Sequence, residues 1–115
     1  MSRLRADFWV AATLRRYNGA GIDAVLQKRG AAEAGAIFVL LDRLDGTASL
    51  YGPAPQSELP EQGVERQFAR VHAEDDIPMA AARKKLAREM SFDPDLWILE
   101  IEDRQGRVLF DLAER

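Results

Sequence analysis

The sequence predicts an α+β domain: a mainly antiparallel β-sheet with an N-terminal helix and a second helix before a C-terminal hairpin. Three observations carry this expectation. Apolar residues recur at helical spacing near the N-terminus and again after Pro78. Short β-favouring runs lie between and after those segments, and turns containing Gly, Asp or Pro separate the runs. With 115 residues, the chain reads as one domain over residues 1–115.

Residues 5–18 form the first expected helix. Ala6, Val10, Leu14 and Tyr17 share one face, while Arg15 and Arg16 lie elsewhere. Asn18, Gly19 and Gly21 then supply the left-handed positions on which helices commonly end. Residues 22–28 are short and β-favouring. Residues 29–35, alanine-rich with Gly30 and Gly35 at either end, read as a hairpin loop into the strand at 36–41. Asp45-Gly46 is a two-residue turn signal, because both central positions of that turn need φ > 0.

Residues 47–51 return as a strand, which Gly52-Pro53-Ala54-Pro55 stops. The stretch 53–63 has three prolines and reads as a loop of functional length. Residues 64–73 alternate as a strand, with Phe68 on the face of Arg66 and Arg70. In the second helix, Glu74, Asp75 and Asp76 place negative charge beside the N-terminus, and Pro78 suits the first turn. Its buried stripe is Met79, Ala82, Leu86 and Met90. Residues 96–102 form a strand with Trp97, Leu99 and Ile101 on one face and Ile98, Glu100 and Glu102 on the other. A turn at 103–106 and a last strand at 108–112 complete the expected hairpin.

One set of blocks resembles a known family. The blocks are Phe92-Asp93-Pro94-Asp95-Leu96-Trp97, Glu100-Ile101-Glu102-Asp103-Arg104, Gly106-Arg107, Phe8-Trp9-Val10 with Arg15-Arg16, Ala34-Gly35-Ala36-Ile37-Phe38-Val39 and Leu50-Tyr51-Gly52-Pro53-Ala54. The chain resembles a group of small, mostly alphaproteobacterial uncharacterised proteins, the domain of unknown function designated fourteen-ninety-one. The resemblance spans nearly the whole chain and implies no activity, cofactor or partner.

Composition excludes several chemistries. The chain has no cysteine and a single histidine, His72, so no disulfide, thiolate nucleophile or multi-histidine metal site can form within it. The longest apolar run, residues 36–41, is far short of the roughly 20 residues of a membrane span. Charges among the first seven residues argue against a signal peptide, so the expectation is a cytoplasmic protein without a membrane partner. Net charge is −3, with +2 on residues 1–56 and −5 on the remainder.

The acidic residues around the penultimate strand are the sharpest feature. Glu100 and Glu102 stand about 7 Å apart on one strand face, near enough to share a divalent cation with a third ligand. This gives Asp95, Glu100 and Glu102 as a metal-ligand set for a phosphodiester-class hydrolase. Pro94-Asp95 followed by Glu100-Ile101-Glu102 is similar to the motif of a family of metal-dependent nucleases, although Glu102 stands where those enzymes carry lysine. The simpler reading, which we prefer, makes Pro94 and its flanking aspartates a turn. It makes Glu100 and Glu102 the solvent face of a half-buried strand, paired with cross-strand arginines.

Other features resolve the same way. Gly19-Ala20-Gly21-Ile22-Asp23-Ala24, with Asp42 downstream, matches a dinucleotide fingerprint but follows a helix instead of opening one. Arg83, Lys84, Lys85 and Arg88 read as a solvated face, and so do Arg66 and Arg70. The pI of about 5.2 and the lack of interleaved exposed aromatics disfavour nucleic acid. His72, with Glu74 or Asp75 to orient it, has no evident nucleophile and reads as partly exposed near a strand end. Trp9 and Trp97 read as core anchors. The resulting expectation is a non-catalytic interaction or regulatory module with a protein partner, and exposed edges also leave a homodimer open. No cofactor is expected, a divalent metal entering only under the hydrolase alternative, and no catalytic residue is assigned.

Overall fold

The computed structural model describes residues 4–55 and 66–113. Helix α1 spans Ala6–Gly19, followed by strands β1 (Asp23–Lys28), β2 (Ile37–Asp42), β3 (Thr47–Pro53), β4 (Phe68–Arg70) and β5 (Ile77–Pro78). Helix α2 spans Met79–Phe92 and leads to β6 (Trp97–Glu102). All six strands belong to one sheet of order β1-β6-β2-β3-β4, with β5 beside β3. Among the ladders of the described residues, only the β2–β6 pair is parallel. The expected fold class therefore holds: a single α+β domain whose sheet is mixed and mostly antiparallel.

Alternation along the two central strands builds a core on each face of the sheet. Ile37, Val39, Leu41, Trp97, Leu99 and Ile101 pack with Trp9, Val10 and Tyr17 of α1. Phe38, Leu40 and Ile98 pack with Ala82 and Leu86 of α2. Strands covered on both faces lose the polar alternation of an exposed sheet, so β2 reads as an unbroken apolar run. Burying a large apolar side chain stabilises by about 1.5–3 kcal/mol, which makes these central residues the main support of the fold. Met79 and Met90 border the α2 core as partly buried side chains, as the stripe predicts.

Residues 29–35 are not a hairpin loop, because β6 lies between β1 and β2. Their glycines serve close approach. A Cβ on Gly30 would overlap the Asp95 carbonyl, and one on Gly35 would come within 2.7 Å of it. The Ala31 N–H donates to that carbonyl at 2.8 Å, and the Trp97 indole N–H donates to the Ala31 carbonyl at 2.7 Å. Local turn chemistry suggested a hairpin, while the non-local pairing of β6 decided the topology.

The segment after residue 106 also departs from expectation. Among the described residues it makes no ladder with β6, and its one bridge joins Leu112 to Phe68 of β4. Tyr17 anchors it: the hydroxyl donates to the Arg107 carbonyl at 2.8 Å and accepts from the Leu109 N–H at 2.9 Å. Burial pushes the Tyr17 phenol up to about 12. The expected strand at 64–73 is reduced to β4, with Val64 and Glu65 outside the described residues. Most of the loop at 53–63 lies outside them as well. Among the described residues, no helix is long and apolar enough to cross a membrane.

Candidate functional site

Helix α2 packs over β3 and the adjoining part of β2, leaving the β6–β1 side of that sheet face less covered. The result is a groove between α2 and β1 with β6 as its floor. One end is a concavity of about 400 Å³ bordered by Arg83, Leu86, Met90, Ile98, Gln27 and Lys28. The other end, about 240 Å³, takes no lining residue from α2 and is bordered by Asn18, Asp23, Val25, Gln27, Glu100 and Glu102. Gln27 borders both.

Strand register concentrates acid at the second end. Glu102 is paired directly with Asp23 on β1 and with Asp42 on β2. Paired residues on neighbouring strands project to the same face, so three carboxylates form a row across three strands. Glu100, one step inward, joins them: single carboxylate oxygens of Asp42, Glu100 and Glu102 all lie within 4.8 Å of one another. Like charges at directly paired positions cost stability, by about 0.2–1 kcal/mol per pair.

Each acid has a distinct environment. Glu100 is buried, where the solvent-face reading placed it outside. Its Oε1 accepts from Gln27 Nε2 at 3.0 Å, and its Oε2 accepts from Arg83 Nη2 at 3.1 Å. Arg83 is half exposed, so this pair has one desolvated partner and one wet one. Asp42 Oδ1 accepts the Leu44 N–H at 2.8 Å, which helps to shape the turn after β2. The Glu102 side chain is exposed and makes no hydrogen bond or ion pair among the described residues.

Of the three ligands expected from sequence, Glu100 and Glu102 come together and Asp95 does not join them. Asp95 is exposed in the turn before β6. At about 3.3 Å per residue, the strand carries Glu102 on the order of 20 Å away from it. Asp42 takes the third place. The visible signal was that the runs 37–42 and 97–102 both end in an acid, but only a parallel pairing in register makes those ends neighbours. Asp103, also in the acidic stretch, belongs to a separate pair: Arg107 donates to it from Nε at 2.9 Å and Nη2 at 3.0 Å. That guanidinium, with the main-chain donors of Gln105 and Arg107, holds the carboxyl near 2.

The remaining sequence features have structural roles. Gly19 ends α1, and Gly21 takes φ +80°, so the dinucleotide fingerprint is a helix end and turn. His72 is buried instead of partly exposed. Strand β5 pairs with Thr47 and Ala48, and β4 begins its pairing at Tyr51. The Leu50 N–H between them donates to His72 Nε2 at 3.0 Å, while Nδ1 lies 2.8 Å from the Glu74 carbonyl. A ring nitrogen facing a carbonyl must donate, so the proton sits on Nδ1 and the ring is neutral. Arg66 donates to the carbonyls of Leu4 and Glu33, Arg70 pairs with Asp75, and Arg83 pairs with Glu100. Arg66, Arg70 and Arg83 are thus dispersed among separate partners, and Arg66 is buried instead of solvated. Trp9 and Trp97 are buried, as expected of core anchors.

Comparison with known proteins adds kinship. Residues 4–111 match the model of a family described as a protein of unknown function, DUF1491. None of the curated proteins matches. The chain is similar to protein Atu0922 from A. tumefaciens, known from a solution structure, at 38% identity and a TM-score of 0.82; the match covers 99% of this chain and 98% of that one. It is also similar to a DUF1491 family protein from Caulobacter crescentus CB15, solved as a crystal structure at 1.87 Å. There the identity is 32% and the TM-score 0.76, with 96% of this chain and 98% of that one covered.

Proposed function

The chain belongs to the DUF1491 family, and on that footing we propose that it is a small non-catalytic cytoplasmic interaction module whose α2–β1 groove receives a protein segment carrying a lysine or arginine. The observation that carries this reading is the row Asp23–Glu102–Asp42. Three carboxylates paired directly across three strands repel one another, and Arg83 neutralises only the neighbouring Glu100. A cationic side chain placed over Glu102 relieves that repulsion. Leu86, Met90 and Ile98 at the far end of the groove offer an apolar wall for the rest of the segment. Complementary charge gives such docking its orientation and specificity.

The test is a titration of the ¹⁵N-labelled protein with a short peptide alternating leucine and lysine. Amide shifts confined to β1, β6 and the facing turns of α2 support the reading. Shifts elsewhere, or none, overturn it.

A second reading, a divalent cation site serving a metal-dependent hydrolase, is favoured by the 4.8 Å spacing of the Asp42, Glu100 and Glu102 oxygens. Hard cations such as Mg²⁺ and Mn²⁺ take carboxylate oxygens of this kind. Against it, both oxygens of Glu100, one of the three ligands, are already engaged, by Gln27 and by the Arg83 guanidinium. Thermal unfolding with Mn²⁺ and Mg²⁺ separates the readings. A cation at 100 times its Kd adds about 2.7 kcal/mol of stability, and a gain of that size abolished by Glu102→Gln would favour the metal.

A further inference from the structure

On the α1 side of the sheet, the C-terminal segment crosses α1 as a strap held at both ends. Tyr17 grips residues 107 and 109 through the two hydrogen bonds of its hydroxyl. At the other end, the Phe68 N–H donates to the Asp111 carbonyl and the Ala113 N–H donates to the Phe68 carbonyl, each at 2.9 Å. Between the strap and α1 lies a cavity of about 630 Å³, well within the range of small-molecule sites.

The cavity combines an aromatic wall with three polar groups that have spare capacity. Trp9 and Phe110 form the wall, their ring centres 6.3 Å apart, with Phe68 behind them. Thr13 also borders the cavity, and its Oγ, buried away from the open space, has no hydrogen-bond partner. A buried hydroxyl left unpaired costs about 1–3 kcal/mol. Threonine in a helix populates two χ1 rotamers, so the hydroxyl can turn towards an occupant. Arg16 uses Nη1 on the Leu109 carbonyl at 2.9 Å and makes no ion pair among the described residues. Asp111, two residues along the strap, makes none either. One cation and one anion therefore line the same cavity without neutralising each other.

We propose that this cavity binds a small zwitterion with an apolar side chain, an α-amino acid of the aromatic or large aliphatic class. The carboxylate pairs with the remaining N–H groups of Arg16, and the ammonium pairs with Asp111. The side chain lies against Trp9 and Phe110. A simple anion would meet Asp111 and a simple cation would meet Arg16, so only a ligand with both charges satisfies both. This site is separate from the α2–β1 groove and does not depend on it.

The experiment is a ¹H–¹⁵N titration with three probes: L-phenylalanine, 3-phenylpropionate without the ammonium, and 2-phenylethylamine without the carboxylate. L-Phenylalanine is expected to shift the Trp9 indole and the amides of Thr13 and Leu109, with each truncated probe binding about tenfold more weakly or worse. Arg16→Gln and Asp111→Asn, both at exposed positions, should each weaken L-phenylalanine by a similar factor. Thr13→Val, which keeps the shape and removes the orphan hydroxyl, should raise the melting temperature of the free protein while weakening the amino acid. Equal binding of all three probes, or no shift with L-phenylalanine, L-leucine or L-tryptophan at about millimolar concentrations, overturns the proposal.

Discussion

The Asn18 carboxamide pairs with both main-chain groups of Ala24: Nδ2 donates to the carbonyl and Oδ1 accepts the N–H, each at 3.3 Å. Ala24 sits in β1, the outermost strand on one side of the sheet. The side chain at the end of α1 thus fills the place of a neighbouring strand at one rung. Open edges template pairing with other chains, and proteins blunt them with devices of this kind. Asn18→Ala removes the plug, and Val25, 52% exposed, already offers apolar surface beside it. We expect the variant to self-associate at concentrations where the wild type does not, measured by sedimentation velocity. An unchanged sedimentation coefficient would show that the amide is not what guards this edge.

The buried Asp103 makes stability depend on acid. Its carboxyl is held near 2 by the Arg107 guanidinium first, with main-chain donors adding to the effect. An unfolded aspartate titrates near 3.9. A depressed carboxyl contributes stability that is fully present above the unfolded value and lost as pH falls through the folded one. Urea unfolding should therefore show a loss between about pH 4 and pH 2 in the wild type. Asp103→Asn should be less stable at neutral pH and flatter through that window. Parallel curves for the two proteins would remove Asp103 from the acid response.

His72 closes a gap in the β3 edge, since it accepts the Leu50 N–H that neither β4 nor β5 takes. His72→Ala leaves that donor unpaired in a buried place, at a cost of about 1–3 kcal/mol. Hydrogen exchange at the Leu50 amide should accelerate more than exchange at Leu40, which pairs with Leu50 and with Glu100 of β6 away from the His72 ring. Equal acceleration at both amides would mean that the variant loosens the whole sheet and that the ring has no local role.

The carboxylate row predicts an unusual sign for a substitution in a central strand. Glu102→Gln removes charge from a residue paired with two acids. We expect a gain of about 0.2–1 kcal/mol in unfolding free energy at low salt, shrinking as salt screens the row. A loss of stability would mean that Glu102 is held by contacts and not strained by its neighbours.

Much of the fold was legible in the sequence, because both helices and the strands β2, β3 and β6 carry local signals. The apolar spacing of α1 and α2, the turn after β2 and the alternation of Trp97, Leu99 and Ile101 each depend on neighbours a few residues away, although that turn takes positive φ at Leu44 and Gly46 and not at Asp45, so it is not the expected two-residue turn. What escaped was set by distant parts of the chain. The insertion of β6 between β1 and β2 turned an expected hairpin loop into a crossover and made Gly30 and Gly35 close-approach residues. The same insertion put Asp42 and Asp23 beside Glu102 and left Asp95 at the other end of the strand. Half of the candidate site was therefore visible as Glu100 and Glu102, and the other half existed only as strand register. Tyr17 captures the C-terminal segment across some ninety residues of chain, and no local pattern announces that contact.

The most direct test of the interaction reading is calorimetric titration of the wild type and Glu102→Gln with the same leucine–lysine peptide at low and physiological salt. The account predicts binding by the wild type that weakens with salt, and a loss of about tenfold or more in the variant. Equal affinity for the two proteins, or binding indifferent to salt, would contradict it.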